Sequence, residues 1–179
     1  RTKVAALSLI STLCKAPGGI GNEEEIKILL RHVRDIISSS DTSAASVKSL
    51  KLDSLQCIHT VITSPNHKPD SMKDCIIEDI LPELCKTLQE NWYKITAESL
   101  QILTEIPSLV VNANASAEEK GSVTKTLYEA IEPRLALHDS DQEVKETSLQ
   151  AAAALFSNLH EYLDVTSRER LLSLILVRL

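Results

Sequence analysis

Aromatic side chains are nearly missing from this 179-residue chain: one Trp, one Phe and three Tyr amount to 3% of it. A platform for stacking bases or sugars has nothing to be built from, and strands would lack the aromatic residues they favour. Glycine is scarce as well, at four, which argues against a β-sandwich or a dinucleotide-binding fold, since both need Gly at tight turns and phosphate loops. Positive charge is not in excess. The net charge is -6, and no basic patch is concentrated enough to attract a phosphate backbone, so no nucleic-acid partner is expected. No stretch approaches the roughly 18 uncharged apolar residues of a membrane span, so no membrane partner is expected either. The cysteines Cys14, Cys57, Cys75 and Cys85 sit inside apolar helical patterns and not at paired short spacings. That fits reduced thiols in a cytoplasmic and/or nuclear protein and leaves no zinc or disulfide framework. The chain opens Arg1-Thr2-Lys3-Val4, without Met or a signal-peptide layout, and reads as an excerpt from a longer polypeptide.

What the chain does have is aliphatic residues at helical spacing. Val4, Leu7, Ile10 and Leu13 recur every third position. A Pro-Gly-Gly-Ile-Gly run at 17–21 breaks that pattern, and Asn22 with Glu25 then forms a capping-box signature ahead of Ile26, Leu29, Leu30, Val33, Ile36 and Ile37. Residues 38–46 are a small polar loop, 64–69 a breaker, and 112–115 another loop. Three more capping boxes, Ser116 with Glu119, Ser140 with Glu143 and Thr166 with Glu169, stand where the apolar period restarts.

Laid over one another, the helices repeat. Ser54-Leu55-Gln56, Ser99-Leu100-Gln101 and Ser148-Leu149-Gln150 are the same string, and Ala6-Leu7-Ser8 is a weaker fourth copy; the leucines step by 48, 45 and 49 residues. Each copy carries an apolar residue three positions on (Ile10, Ile58, Leu103, Ala152) and another six positions on (Leu13, Val61, Ile106, Leu155). A period in the upper forties with two helices per unit is that of a HEAT-type or armadillo-type solenoid. The intervening helices carry a second mark, a proline inside the rod at Pro82 and Pro133, which removes one backbone hydrogen bond and bends it. The expected fold is therefore all-α: a right-handed solenoid segment of HEAT-type helical hairpins, about three and a half repeats, continuous over 1–179. Second-type helices are expected at about 2–15, 47–63, 92–111 and 141–160, and first-type helices at about 23–38, 72–88, 117–137 and 167–179. Both ends are expected to be cut faces of a longer solenoid.

A search for chemistry returns little. The Gly-rich run at 17–21 precedes a helix, where a phosphate cradle would sit. It has no following Lys and Ser/Thr, and Glu23, Glu24 and Glu25 would repel phosphate, so an inter-helix turn is the reading. Cys57 and His59 lie two apart on a helix and face different ways, unsuited to one metal. His32, His67, His138 and His160 have no partner implied by spacing. Asn114-Ala115-Ser116 matches a glycosylation sequon, which a loop plus a helix cap explains. Trp92 and Tyr93 suit either a partner anchor or a staple between adjacent helices. No reaction, cofactor, metal or small-molecule substrate is supported.

What is left is surface. Second-type helices usually line the concave side of a solenoid, and their polar positions recur in register. The candidate partner-binding ladder is Gln56, His59, Lys94, Glu98, Gln101, Glu105, Glu146 and Gln150. It has two readings, an ordinary solvated face or a wide surface for another protein.

Residues 137–149 resemble the signature turn of HEAT repeats, an Asp followed by Val-Lys as the second helix begins; the resemblance implies that Asp141 caps backbone amides and that Lys145 reaches toward the neighbouring repeat. More specifically, Leu50-Lys51-Leu52-Asp53-Ser54-Leu55 with Cys57, Tyr93-Lys94-Ile95-Thr96 with Glu98 and Leu100, and Asp141-Gln142-Glu143-Val144-Lys145-Glu146 with Asn158-Leu159 resemble the central region of the cullin-associated and neddylation-dissociated proteins, all-HEAT regulators of cullin-RING ubiquitin ligases. The similarity is weak in the first repeat and over 66–73, and it departs at Ala151-Ala152-Ala153-Ala154, where that family is bulkier and has a Gly. It implies a protein partner, cullin with its RING subunit. It also implies a non-catalytic scaffold that sequesters unmodified cullin and promotes exchange of substrate receptors, in which this segment sets span and curvature. The rival reading is a segment of a HEAT-repeat nuclear transport receptor or phosphatase scaffold.

Overall fold

Helices begin where a short polar side chain can hold free backbone amides, and the computed structural model, which describes residues 2–20, 22–39, 44–136 and 141–178, places them in this order. The first is α1 (Thr2–Lys15), followed by α2 (Glu23–Ile37), α3 (Ala45–Thr63) and α4 (Pro69–Asp74). A π-helical turn (Cys75–Ile80) leads into α5 (Leu81–Thr87), then α6 (Tyr93–Asn112), α7 (Ala117–Ala136), α8 (Gln142–Leu159) and, after a 3-10 turn (His160–Tyr162), α9 (Val165–Leu176). No strand occurs among the described residues. The fold is an all-α solenoid of helical hairpins. The second-type helices α1, α3, α6 and α8 pack side by side in that order, and α2, the α4–α5 rod and α7 each pack against the second-type helix that follows. The 45–49-residue step is that of HEAT-type units, longer than the 34 residues of a TPR unit.

The shared core lies between the two layers. Leu55, Ile58, Val61, Leu100, Leu103, Ile106, Ala152 and Leu155 from the second-type helices are fully buried, as are Leu30, Ile76, Ile80, Leu84, Leu127 and Ile131 from the first-type helices. Each such leucine or isoleucine contributes about 1.5–3 kcal/mol relative to exposure. α6 and α8 pack most extensively, because the buried Ala151 and Ala152 add little width between the two rods.

Several boundaries differ from the expected ones for identifiable reasons. The first-type helix expected at 72–88 begins at Pro69, because a proline at the first helical position loses an amide that has no partner there anyway. Its rod is also not uniform. The Leu81 N–H reaches Ile76, five residues back, so the wide turn sits just ahead of Pro82, whose ring would crowd the carbonyl of Glu78 in a regular helix. The last helix is capped not by Thr166 with Glu169 but by Asp164, whose carboxylate accepts the Ser167 N–H at 2.8 Å and the Ser167 hydroxyl at 3.0 Å. The helix therefore runs from 165 to 176 and not from 167 to 179; a carboxylate is a better cap than a threonine and also meets the positive helix end. α3 starts at Ala45, two residues before the expected 47. Ser140, one half of an expected capping box, lies outside the described residues, and the cap is Asp141, which accepts the Glu143 and Val144 amides at 2.9 and 3.2 Å. Asn22 accepts the Glu25 N–H at 2.9 Å, and Ser116 with Glu119 forms the full reciprocal box, at 2.7 and 3.2 Å.

In α1 the period-three pattern misleads. Each step of three turns the helix by about 60° short of a full revolution, so Val4 to Leu13 spans half its circumference. Leu7 and Cys14, seven apart, lie nearly in line and are the buried pair, while Val4 and Leu13 are exposed.

Candidate partner-binding face

On a second-type helix, the Ser-Leu pair and the residues three and six beyond the leucine turn toward the first-type layer. The position after the leucine lies about 100° beyond it and about 200° beyond the buried serine, turned away from the first-type layer. Gln56, Gln101 and Gln150 occupy it, and Gln56 and Gln150 are exposed while Gln101 is half-buried. Along α6, Lys94, Glu98, Gln101 and Glu105 are spaced by four, three and four residues and so share one face.

Between α3 and α6 the face is joined: His59 Nδ1 lies 3.3 Å from Glu98 Oε1. Between α1 and α3 it opens into a groove of about 320 Å³, lined by Val4, Ser8, Ser11, Asp53 and Gln56. On α8, Gln142 donates to Glu146 at 2.9 Å, so Glu146 is oriented within its own helix, as Lys94 is by its place 6.0 Å over the Tyr93 ring. Glu105 is half-buried and Gln150 points to solvent. The arrangement offers hydrogen bonding and negative charge along an extended surface. It has none of the convergence that a reacting centre needs.

Other positions settle into packing. Trp92 is half-buried against the core ahead of α6, the staple role, whereas Tyr93 beside it is exposed. Among the described residues no three His, Cys, Asp or Glu side chains group as metal ligands, and no helix is long and apolar enough to cross a membrane. The thiols are held protonated. Burial pushes Cys57, Cys75 and Cys85 up to about 11, with Cys14 adding to the shift at Cys57 and Asp79 to that at Cys75, and burial raises Cys14 as well.

Several inter-repeat links escape a reading of the sequence. Lys51, four residues before its repeat's leucine, pairs with Glu90 in the turn before α6 and donates to the Ser39 carbonyl at 3.2 Å. Lys145 occupies the same position in the α8 unit but forms no ion pair with any described residue; that shared spacing was the available clue to Lys51. Lys73 pairs with Glu119 at 2.5 Å, tying the α4–α5 rod to α7, and Arg170 pairs with Glu132 at 2.9 Å, tying α9 to α7. A further link is between loops. Ser64 and Asn66 donate to the Cys14 carbonyl at 2.7 and 3.2 Å, and Asn66 also to Ala16 at 2.9 Å, closing the open end of α1. His67 accepts the Ile20 N–H at Nε2, at 3.3 Å, so its Nδ1 carries the proton and donates to Val61 at 3.0 Å. Residues 17–20 of the Gly-rich run are thus a docked turn with the Ile20 amide already taken.

Compared with known proteins, residues 24–152 match the family model described as CAND1-like, TPR repeats. A curated relative, the Arabidopsis thaliana Cullin-associated NEDD8-dissociated protein 1, is 28% identical over 120 residues, 66% of this chain. The chain spans about a tenth of that relative's length. Among solved structures, the crystal structure of an engineered protein superposes with a TM-score of 0.53 at 14% identity, over 94% of this chain and 68% of that one, a likeness of fold alone.

Proposed function

The chain belongs to the CAND1-like TPR-repeat family, and from that membership we infer that it is a non-catalytic protein-binding scaffold, one stretch of a longer solenoid that engages cullin together with its RING subunit. The whole protein sequesters unmodified cullin-RING scaffolds and promotes exchange of substrate receptors, in the cytoplasm and/or nucleus. The observation that carries this reading is the family match over 24–152, supported by the curated relative, whose name couples cullin association to NEDD8 dissociation.

Within that protein this segment sets distance and curvature. Its contribution to binding is an auxiliary strip made of Gln56, His59, Lys94, Glu98, Gln101, Glu105, Glu146 and Gln150. The side chains on this face suit such a role, being polar, mostly unpaired across helices and recurrent along the stack. The test is co-purification of the full-length protein with tagged cullin. Recovery with unmodified cullin and loss with cullin carrying the ubiquitin-like modifier is expected; equal recovery with both, or with neither, would sink the proposal.

A further inference from the structure

α7 contains a glycine that its own structure does not require. Gly121 stands inside the helix, where glycine is less favourable than alanine. A Cβ added there would meet one neighbour, a ring carbon of Tyr162 at 4.0 Å, which is an ordinary contact. Neither the backbone nor the packing therefore explains it. Its bare backbone instead forms part of the wall of an open groove of about 260 Å³, between α7 and the segment that runs from the 3-10 turn into α9. Glycine suits such a place because it lets the atoms of another chain come close to the helix.

Two of the chain's three tyrosines line the same groove, Tyr128 half-buried on α7 and Tyr162, 36% exposed, on the other wall. Among the described residues neither hydroxyl has a hydrogen-bond partner. Lys125 adds a third donor at the rim, its side chain 79% exposed and its ammonium 4.0 Å from Glu129. The acceptors are already engaged. The Asp164 carboxylate takes the Ser167 N–H and hydroxyl, and the Leu163 carbonyl takes the Arg168 Nε–H at 2.9 Å. Both walls belong to units that the chain itself contains. Ser167 lines the groove opposite α7, whereas Val165, Leu172 and Leu176, the exposed apolar side on which a further repeat would pack, lie across α9 from it, Val165 being about 160° round the axis.

We propose that this groove docks a proline-containing extended segment of a protein partner. The balance of donors and acceptors selects that occupant. A polyproline segment has carbonyls with no internal hydrogen bonds, and its prolines lack the N–H that would need an acceptor from the groove. The Tyr128 and Tyr162 hydroxyls and the Lys125 ammonium supply donors to those carbonyls, and the two rings supply the apolar surface against which proline packs. Gly121 admits the segment to the surface of α7. Because the extended conformation is preformed, little ordering cost falls on a groove of this small size. The proposal rests on the groove alone and stands apart from the cullin reading.

The probe is a fluorescein-labelled proline peptide of about ten residues, titrated by fluorescence anisotropy against the full-length protein, with a Gly-Ser peptide of the same length as control. Saturable binding of the proline peptide and none of the control is expected. Tyr128→Phe and Tyr162→Phe keep the rings and remove one donor each, so each is expected to weaken binding by about twofold to tenfold. Gly121→Ala places a methyl group in the path of the segment and is expected to weaken binding by at least about fivefold, while its melting temperature stays level or rises. No binding of the proline peptide, equal binding of the control, or binding that Gly121→Ala leaves unchanged would overturn the proposal. A lowered melting temperature for Gly121→Ala would overturn it too, since the fold itself would then need the glycine.

Discussion

Lys51 on α3 and Glu90 in the turn ahead of α6 form an ion pair across the boundary between two repeats, with the Lys51 side chain 5% exposed and that of Glu90 17%. The Glu90 carbonyl also accepts the Thr96 hydroxyl at 3.2 Å, so the turn is tied to both second-type helices. Removing one partner strands the other charge where water reaches it poorly. Lys51→Met is therefore expected to cost about 3 kcal/mol, and Lys51→Met with Glu90→Gln less than the two single losses added. Urea unfolding of the four proteins measures this; strictly additive losses would mean that the pair is uncoupled.

Gly19 is held by two constraints and Gly18 by one. Gly19 has φ +60, and a Cβ there would stand 2.8 Å from Asn66 Cβ and 3.0 Å from His67 Nε2, whereas Gly18, at φ +90, has open space around it. Gly18→Ala carries only the backbone penalty, on the order of 1–2 kcal/mol. Gly19→Ala adds displacement of the docked 64–67 loop and is expected to be the more damaging by at least about 1 kcal/mol. Equal losses of melting temperature for the two variants would contradict the clash.

Glu119 gives the stability a pH dependence of known sign. The Lys73 ammonium, and then the Ser116 amide and hydroxyl, hold its carboxyl down to about 2. Since the folded chain keeps this group ionised more readily than the unfolded one, where it titrates near about 4.3, its stabilisation is complete above that value. It is lost as the pH falls from there toward about 2. The melting-temperature difference between the unaltered chain and Glu119→Gln should therefore shrink over that window and be flat above it. A difference constant through the acid range would exclude the linkage.

The four thiols should be quiet in the native state. Cys57, Cys75 and Cys85 are pushed up to about 11 and Cys14 is raised by burial, so little thiolate exists near neutral pH. Reaction with a thiol reagent is expected to be slow in buffer and to reach all four cysteines of the chain only in denaturant. Rapid native labelling would show that the hairpins open readily.

Repeat architecture was legible in the sequence because a solenoid writes the same packing position again and again: the Ser-Leu-Gln strings mark the same side of α3, α6 and α8. Caps were legible where side chain and amide are neighbours in sequence, as at Asn22 and Ser116. They were misread where two cap residues compete, Asp164 winning over Thr166 because its carboxylate accepts two bonds from Ser167. Links of forty to fifty residues, such as Ser64 to Cys14 or Lys73 to Glu119, depend on how neighbouring repeats abut, which no local pattern records. The candidate face was legible only as a list of polar positions. The pairing of His59 with Glu98, and the groove that sets Asp53 and Gln56 opposite Ser8 and Ser11, needed the stack itself.

Under the proposed function this segment is a spacer with an auxiliary cullin-facing strip inside a cullin-binding scaffold. The decisive titration sets unmodified cullin with its RING subunit against the full-length protein and against residues 1–179 alone, side by side. Tight binding by the full-length protein and binding weaker than micromolar by the segment is the predicted result. Submicromolar binding by the segment alone, or none by the full-length protein, would contradict it.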